Sequence, residues 1–146
     1  MPKHTNADLV LLALQFYGTA AIPGGLSNPL VLGFFQKSGH PEITNDDTAW
    51  CSAFINSIAR QLGAPSSGSL AARSWLTIGT GVPAPQFGDI AVFWRDAPKG
   101  TLGHVGIVIA AIGTDLWILG GNQKNRVEIE HFTTEKILGC RRLFTA

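Results

Sequence analysis

Two runs in the second half of the chain constrain the fold most. Asp89 to Trp94 reads DIAVFW and His104 to Ala111 reads HVGIVIAA, both apolar on the two faces of an extended chain. Strands of this kind are buried on both sides, so they belong inside a sheet. Shorter strand candidates follow at Leu116 to Leu119, Arg126 to Phe132 and Cys140 to Phe144, with turn residues between them. Pro83 and Pro85 introduce this half. Upstream the period is helical. Asn6 to Tyr17 carries Leu9, Leu12, Ala13 and Phe16 on one face, and Pro23 with Gly24-Gly25 breaks it. Asn28 to Lys37 reads as a second helix, with Pro29 allowed in its first turn. The clearest helix runs from Thr48 to Leu62. Asp47 or Thr48 can cap it, Cys51, Phe54, Ile55, Ile58 and Leu62 form its apolar stripe, and Gly63 ends it. Leu70 to Leu76 reads as a short helix. Helices followed by a mainly antiparallel sheet of about five or six strands make an α+β fold.

With 146 residues, one domain spanning 1–146 is expected, large enough for a core without staples. Lys and Arg total 11 against 10 Asp and Glu, and they are scattered, Arg141–Arg142 being the closest pair. Counterion-driven binding to nucleic acid needs clustered cations, so that role is not expected. No run nears the roughly 20 apolar residues of a membrane span. Leu9 to Leu14 is short and follows Asp8, where a signal peptide would carry positive charge. The expectation is a protein made without an export signal and without stable membrane association. Cys51 and Cys140 allow at most one disulfide, too few for a disulfide-dependent secreted domain.

Each thiol therefore needs its own explanation. On its helix stripe Cys51 could be a small buried hydrophobe. Its position in the first turn, after Thr44-Asn45-Asp46-Asp47, points further. Free N–H groups and the helix dipole favour an anion there, which lowers a thiol pKa and makes the thiolate a nucleophile. A nucleophilic Cys needs a base. His4 lies in the terminus, His40 in a loop, and His131 on a polar strand with Glu128 and Glu130. His104 differs, because it opens the most apolar strand, where an ionisable ring is costly without partners. Gly106 lies on the same strand face and leaves room for a helix end beside the imidazole. A base also needs an orienting acceptor on its second nitrogen. Asn122 or Gln123, after Gly120-Gly121, can supply a side-chain carbonyl, and Asn122 is chosen; the bland alternative is a turn residue.

Three segments together resemble a known family: Asp47-Thr48-Ala49-Trp50-Cys51-Ser52-Ala53-Phe54, Pro85-Gln86-Phe87-Gly88-Asp89-Ile90-Ala91-Val92-Phe93, and Gly103-His104-Val105-Gly106-Ile107-Val108. The chain resembles the cysteine, histidine-dependent amidohydrolases/peptidases, the CHAP family, and the related NlpC-type cell-wall peptidases. The resemblance covers roughly residues 45 to 125 and implies a papain-like domain with the Cys-bearing helix packed on the sheet. It implies Cys51 as nucleophile, His104 as base and Asn122 as third polar residue, and it matches Asp89 to a strand-opening acid, here a structural anchor.

Other features have bland readings. Trp50, Trp75 and Trp94 belong to the core rather than to sugar stacking. Glu128 and Glu130 form a solvated edge rather than a glycosidase pair. Asp46 and Asp47 lack the oxygen spacing of a calcium loop, and Cys51 and His104 lack companions for zinc, so no metal and no cofactor are expected. The expected activity is hydrolysis of an amide bond in or next to the peptidoglycan stem peptide, by a monomer of phage lysin or antibacterial toxin type. It would act on the cell wall after release or delivery. The oxyanion takes the Cys51 backbone N–H, with Asn45 or another residue of its loop as a second donor. Cys140 is a buried spectator. The rivals are a non-catalytic wall-binding or assembly module of the same fold and an acid-dependent glycosidase.

Overall fold

The computed structural model describes residues 3–22 and 26–144. The Pro23-Gly24-Gly25 helix break therefore lies outside the described residues. Three α-helices come first: α1 (Asn6–Leu14), α2 (Pro29–Lys37) and α3 (Cys51–Gln61). A 3-10 helix over Ala72–Thr77 replaces the short helix expected at Leu70 to Leu76. Six strands follow: β1 (Thr80–Val82), β2 (Ile90–Trp94), β3 (Gly103–Ile112), β4 (Asp115–Gln123), β5 (Arg126–Thr133) and β6 (Ile137–Arg142). They form one antiparallel sheet in the order β1-β6-β2-β3-β4-β5. This is the α+β architecture expected. β1 was not foreseen, and its three-residue TGV run carries no strand pattern to read.

The start of α2 and the end of α3 follow local chemistry. Asn28 caps α2 by accepting from Leu30 N–H, with Pro29 in the first turn. Gly63, at φ +70°, closes α3 in the left-handed conformation that glycine adopts without strain. The start of α3 departs from expectation. Neither Asp47 nor Thr48 caps it; Trp50 is the N-cap and has no side-chain bond to the helix. Asn45 instead bonds Asp47 and Thr48 main-chain N–H groups, holding that stretch as a turn outside the helix. Cys51 is thereby the first helical residue.

The sheet is covered on both faces. Ile90, Val92, Val105, Ile107, Leu119 and Val127 share a core with Phe34, Phe35, Trp50, Phe54 and Ile55 of the helical side. Ala91, Phe93, Val108, Leu116, Ile118 and Cys140 form a second cluster on the opposite face. The rings of Phe93 on β2 and Phe132 on β5 stack with centroids 4.7 Å apart. Those strands are separated by two others, so a flat sheet would hold them about 14 Å apart. The sheet is strongly curled around this second cluster. Buried Asp89, just before β2, ties the end of β6 to the start of α1, receiving two bonds from Arg142 at 2.8 Å each, one from Asn6 and one from Gln86 N–H. That is the structural anchor expected of it.

Candidate active site

Gln123 defines the state of His104. Its side-chain amide is buried, and its Nε2 donates to the carbonyls of Ile118 at 3.0 Å and Glu128 at 2.8 Å. Both amide hydrogens are thus used, so Oε1 is the atom that meets His104 Nε2 at 2.9 Å. An oxygen can only accept, so Nε2 carries the ring proton and Nδ1 keeps its lone pair. Phe132 stacks on the imidazole with a 6° interplanar angle and a 5.4 Å centroid separation, fixing the ring plane. Burial lowers the His104 pKa to about 4, opposed by the Gln123 bond and reinforced by the Arg95 charge. The ring is a neutral base.

Asn122 is not that partner. It stands at φ +58°, within the register shift of β4 against β5 between Gly120 and Gln123. The extra residues there give the imidazole contact to Gln123, while Asn122 lines the same cavity as His104. Gly120 makes the contact possible: a Cβ at that position would collide with Gln123 Oε1 and lie 3.3 Å from His104 Nε2. Gly106 also acts differently from expectation. Its missing side chain admits Ile118 of β4 rather than a helix end. The glycine that admits the helix is Gly121, where a Cβ would lie 2.8 Å from Phe54 Cβ and 2.9 Å from the Trp50 ring.

Cys51 belongs to the core on the helical face of the sheet, while His104 pairs with Phe93 on the opposite face. They do not meet across the helix–sheet contact as expected. The backbone pairing of β3 with β4 begins only at Ile107, so His104 and Val105 are not laddered to β4. There the Val105 backbone N–H, one residue from the base, favours the Cys51 thiolate together with the Ser52 and Cys51 N–H groups. No hydrogen bond joins the sulfur to the imidazole. Burial outweighs these amides and Arg95, so the thiol pKa is raised rather than lowered by its helix start. With 8% of its surface exposed, the thiol is desolvated more than the dipole compensates. The resting pair is neutral thiol and neutral imidazole.

Arg95, which the sequence did not single out, acts on both groups and lines a cavity of about 320 Å³ with His104. Its signal was slight, a lone cation just past an apolar strand. Glu130 lies on the edge strand as expected and also lines this cavity, and burial raises its pKa. His131 stays on the solvated side, bonded to Asp115 at 2.7 Å, and His40 bonds Glu42 and the Gly68 carbonyl. Trp50 and Trp75 are fully buried core residues; Trp94 is half-buried beneath the Lys136 ammonium. Asp46 accepts from the Ile22 and Asn28 N–H groups, and Asn45 Oδ1 is used within its own turn. Cys140 is buried in the second cluster, and burial pushes its thiol up to about 11. Among the described residues no cluster of three or more His, Cys, Asp or Glu converges to hold a metal ion.

The fold is similar to three solved structures. An NlpC/P60 family protein from Bacillus cereus ATCC 10987 superposes with a TM-score of 0.64 at 21% identity, over 99% of this chain and 42% of that one. NlpC1 from Trichomonas vaginalis gives 0.58 at 17% identity, over 100% and 47%. A protein similar to lipoprotein, NLP/P60 family, from Staphylococcus aureus subsp. aureus Mu50 gives 0.53 at 20%, over 100% and 43%. The chain thus spans less than half the length of each. A comparison with curated proteins finds no match. The CHAP domain matches residues 43–122, a stretch that contains Cys51, the Asp89 strand and His104. The chain belongs to the CHAP domain family.

Proposed function

We propose that this protein is a cysteine hydrolase that cuts an amide bond in or next to the stem peptide of bacterial peptidoglycan. The observation that carries the chemistry is the pinned imidazole. Gln123 holds the proton on Nε2, which leaves Nδ1 basic one residue from the Val105 amide at the Cys51 thiol. Membership of the CHAP domain family supports a cell-wall substrate. Because both groups rest neutral, His104 takes the thiol proton as sulfur attacks the carbonyl, and substrate closes the remaining gap between them. The ring then gives that proton to the departing amine nitrogen, leaving a thioester on Cys51. Water, deprotonated by the same ring, displaces the thiol and releases the acid. The Cys51 N–H, which has no intrahelical partner at the helix start, passes from the sulfur to the oxyanion. Gln123 takes the orienting role first assigned to Asn122. The protein acts as a monomer of lysin or toxin type that reaches the wall by release or delivery.

Purified peptidoglycan digested with the protein should yield fragments whose mass spectra show paired new amine and carboxylic acid ends. Cys51→Ala should abolish them, whereas Cys140→Ala should keep them. Full activity in Cys51→Ala overturns the mechanism. Undiminished wall binding by Cys51→Ala, with no fragments from the unmodified protein, would identify a binding module instead.

A further inference from the structure

The cavity beside His104 carries a charge pattern that the hydrolysis itself does not use. His104 lines it, and so do Arg95, Lys124 and Lys136, against the single carboxylate of Glu130. None of the three cations is strongly paired. The Lys136 ammonium lies 4.9 Å from the Trp94 ring centroid, and Lys124 reaches Glu128 only at 3.9 Å. Arg95 bonds through its backbone N–H to the Leu102 carbonyl, and its guanidinium has no salt-bridge partner among the described residues. Burial and the neighbouring Glu128 raise the Glu130 pKa, and the Lys124 charge opposes them. The floor is aromatic, from Phe93 and Phe132. A volume of about 320 Å³ is at the small end of ligand pockets, enough for one or two residues of a peptide.

Position decides which part of a substrate enters. Cys51 does not line the cavity and His104 does. A carbonyl attacked by Cys51 turns its amide nitrogen toward the ring that protonates it, so the amine half leaves on the cavity's side. We propose that this cavity binds a carboxylate on the amine half of the substrate, held by Arg95 and Lys136. The inference rests on the Cys51–His104 hydrolase assigned above. A guanidinium forks onto a carboxylate through two parallel hydrogen bonds, and the apolar floor strengthens that contact by excluding water. Lys124 contributes field at the rim.

Binding and cleavage test it separately. Cys51→Ala, which cannot turn over, is titrated by calorimetry with d-alanyl-d-alanine and with its C-terminal amide. The free carboxylate should bind at least about tenfold more tightly, as a charge-assisted hydrogen bond supplies. The double substitution Arg95→Gln, Lys136→Gln in the same background should reduce that ratio to near one. Equal affinities, no binding of either probe up to about 10 mM, or a preference that survives the double substitution overturns the inference. In the second arm, the unmodified protein is given stem peptides whose amine half ends in a carboxylate or a carboxamide. Faster cleavage of the carboxylate form supports the inference, and equal rates overturn it while leaving the hydrolase intact. Selective binding with no cleavage of either peptide overturns the hydrolase and leaves the ligand class of the cavity standing.

Discussion

Gln123 and Asn122 are adjacent amides with opposite consequences. Gln123 spends every polar atom of its side chain on buried partners and presents one oxygen to His104. Removing it frees the ring to turn and leaves the Ile118 and Glu128 carbonyls without their donor. Gln123→Ala should lower kcat by about 10- to 100-fold, the worth of one or two buried hydrogen bonds, with a smaller change in KM. Asn122 is held at φ +58°, a conformation that asparagine and glycine tolerate best. Asn122→Gly should therefore keep turnover within about threefold. Steady-state kinetics on a stem-peptide substrate checks both, and a larger loss in Asn122→Gly than in Gln123→Ala would reverse the assignment. Asn is the commoner turn residue, and Gln has no such role to betray its purpose. Only the bulge, which no sequence pattern marks, brings the second amide rather than the first to the ring.

At the scale of elements, the site depends on how closely α3 approaches the sheet. Gly121 is the contact point, with Trp50 and Phe54 occupying the space a side chain would need. A methyl group there must push the first turn of α3, and Cys51 with it, away from β3 and β4. Gly121→Ala should cost about 1–3 kcal/mol of stability by overpacking and should lower activity more than thermal stability alone explains. Chemical denaturation together with the rate at a temperature where the variant is fully folded separates the two effects. Unchanged stability and rate would show that the helix start is not held there. The first turn and the middle of the helix are also held by polar contacts. Asn56 Oδ1 accepts from Ser67 and Gly68 N–H groups at 3.0 Å each, and Ser52 Oγ bridges the Ser69 carbonyl and the Trp75 indole. These bonds tie the following loop to α3, at Ser52 beside Cys51 and one turn further on at Asn56.

For the whole molecule, the buried neutral His104 makes stability depend on pH. Its folded pKa of about 4 lies below the ordinary histidine value of about 6.5, so the unfolded chain takes up the proton first as pH falls. Stability is full above about pH 6.5, declines from there to about 4, and levels off below; the loss is roughly 3 kcal/mol. His40 works in the opposite sense. Glu42 and the Gly68 carbonyl raise its pKa, so its contribution is present below about pH 6.5 and fades as pH rises through the raised value. The difference between the parent and His104→Gln isolates the first effect. Denaturant midpoints at pH 7.5 and 4.5 should fall further in the parent than in the variant, and parallel losses would count against the buried neutral ring. The element order, the two doubly buried strands and the Cys-bearing helix were legible in the chain itself. Hydrophobic period, turn residues and short motifs are local properties, and they are written in neighbouring residues. The tertiary structure alone decided that Gln123 holds the imidazole, that Gly121 rather than Gly106 admits the helix, and that Arg95 and Glu130 line the cavity beside the base. It also reversed the thiol's shift, because helix position is local while desolvation depends on everything packed around it. Each of these follows from the curl of the sheet and the bulge in β4, where residues distant in sequence share a few ångströms of space.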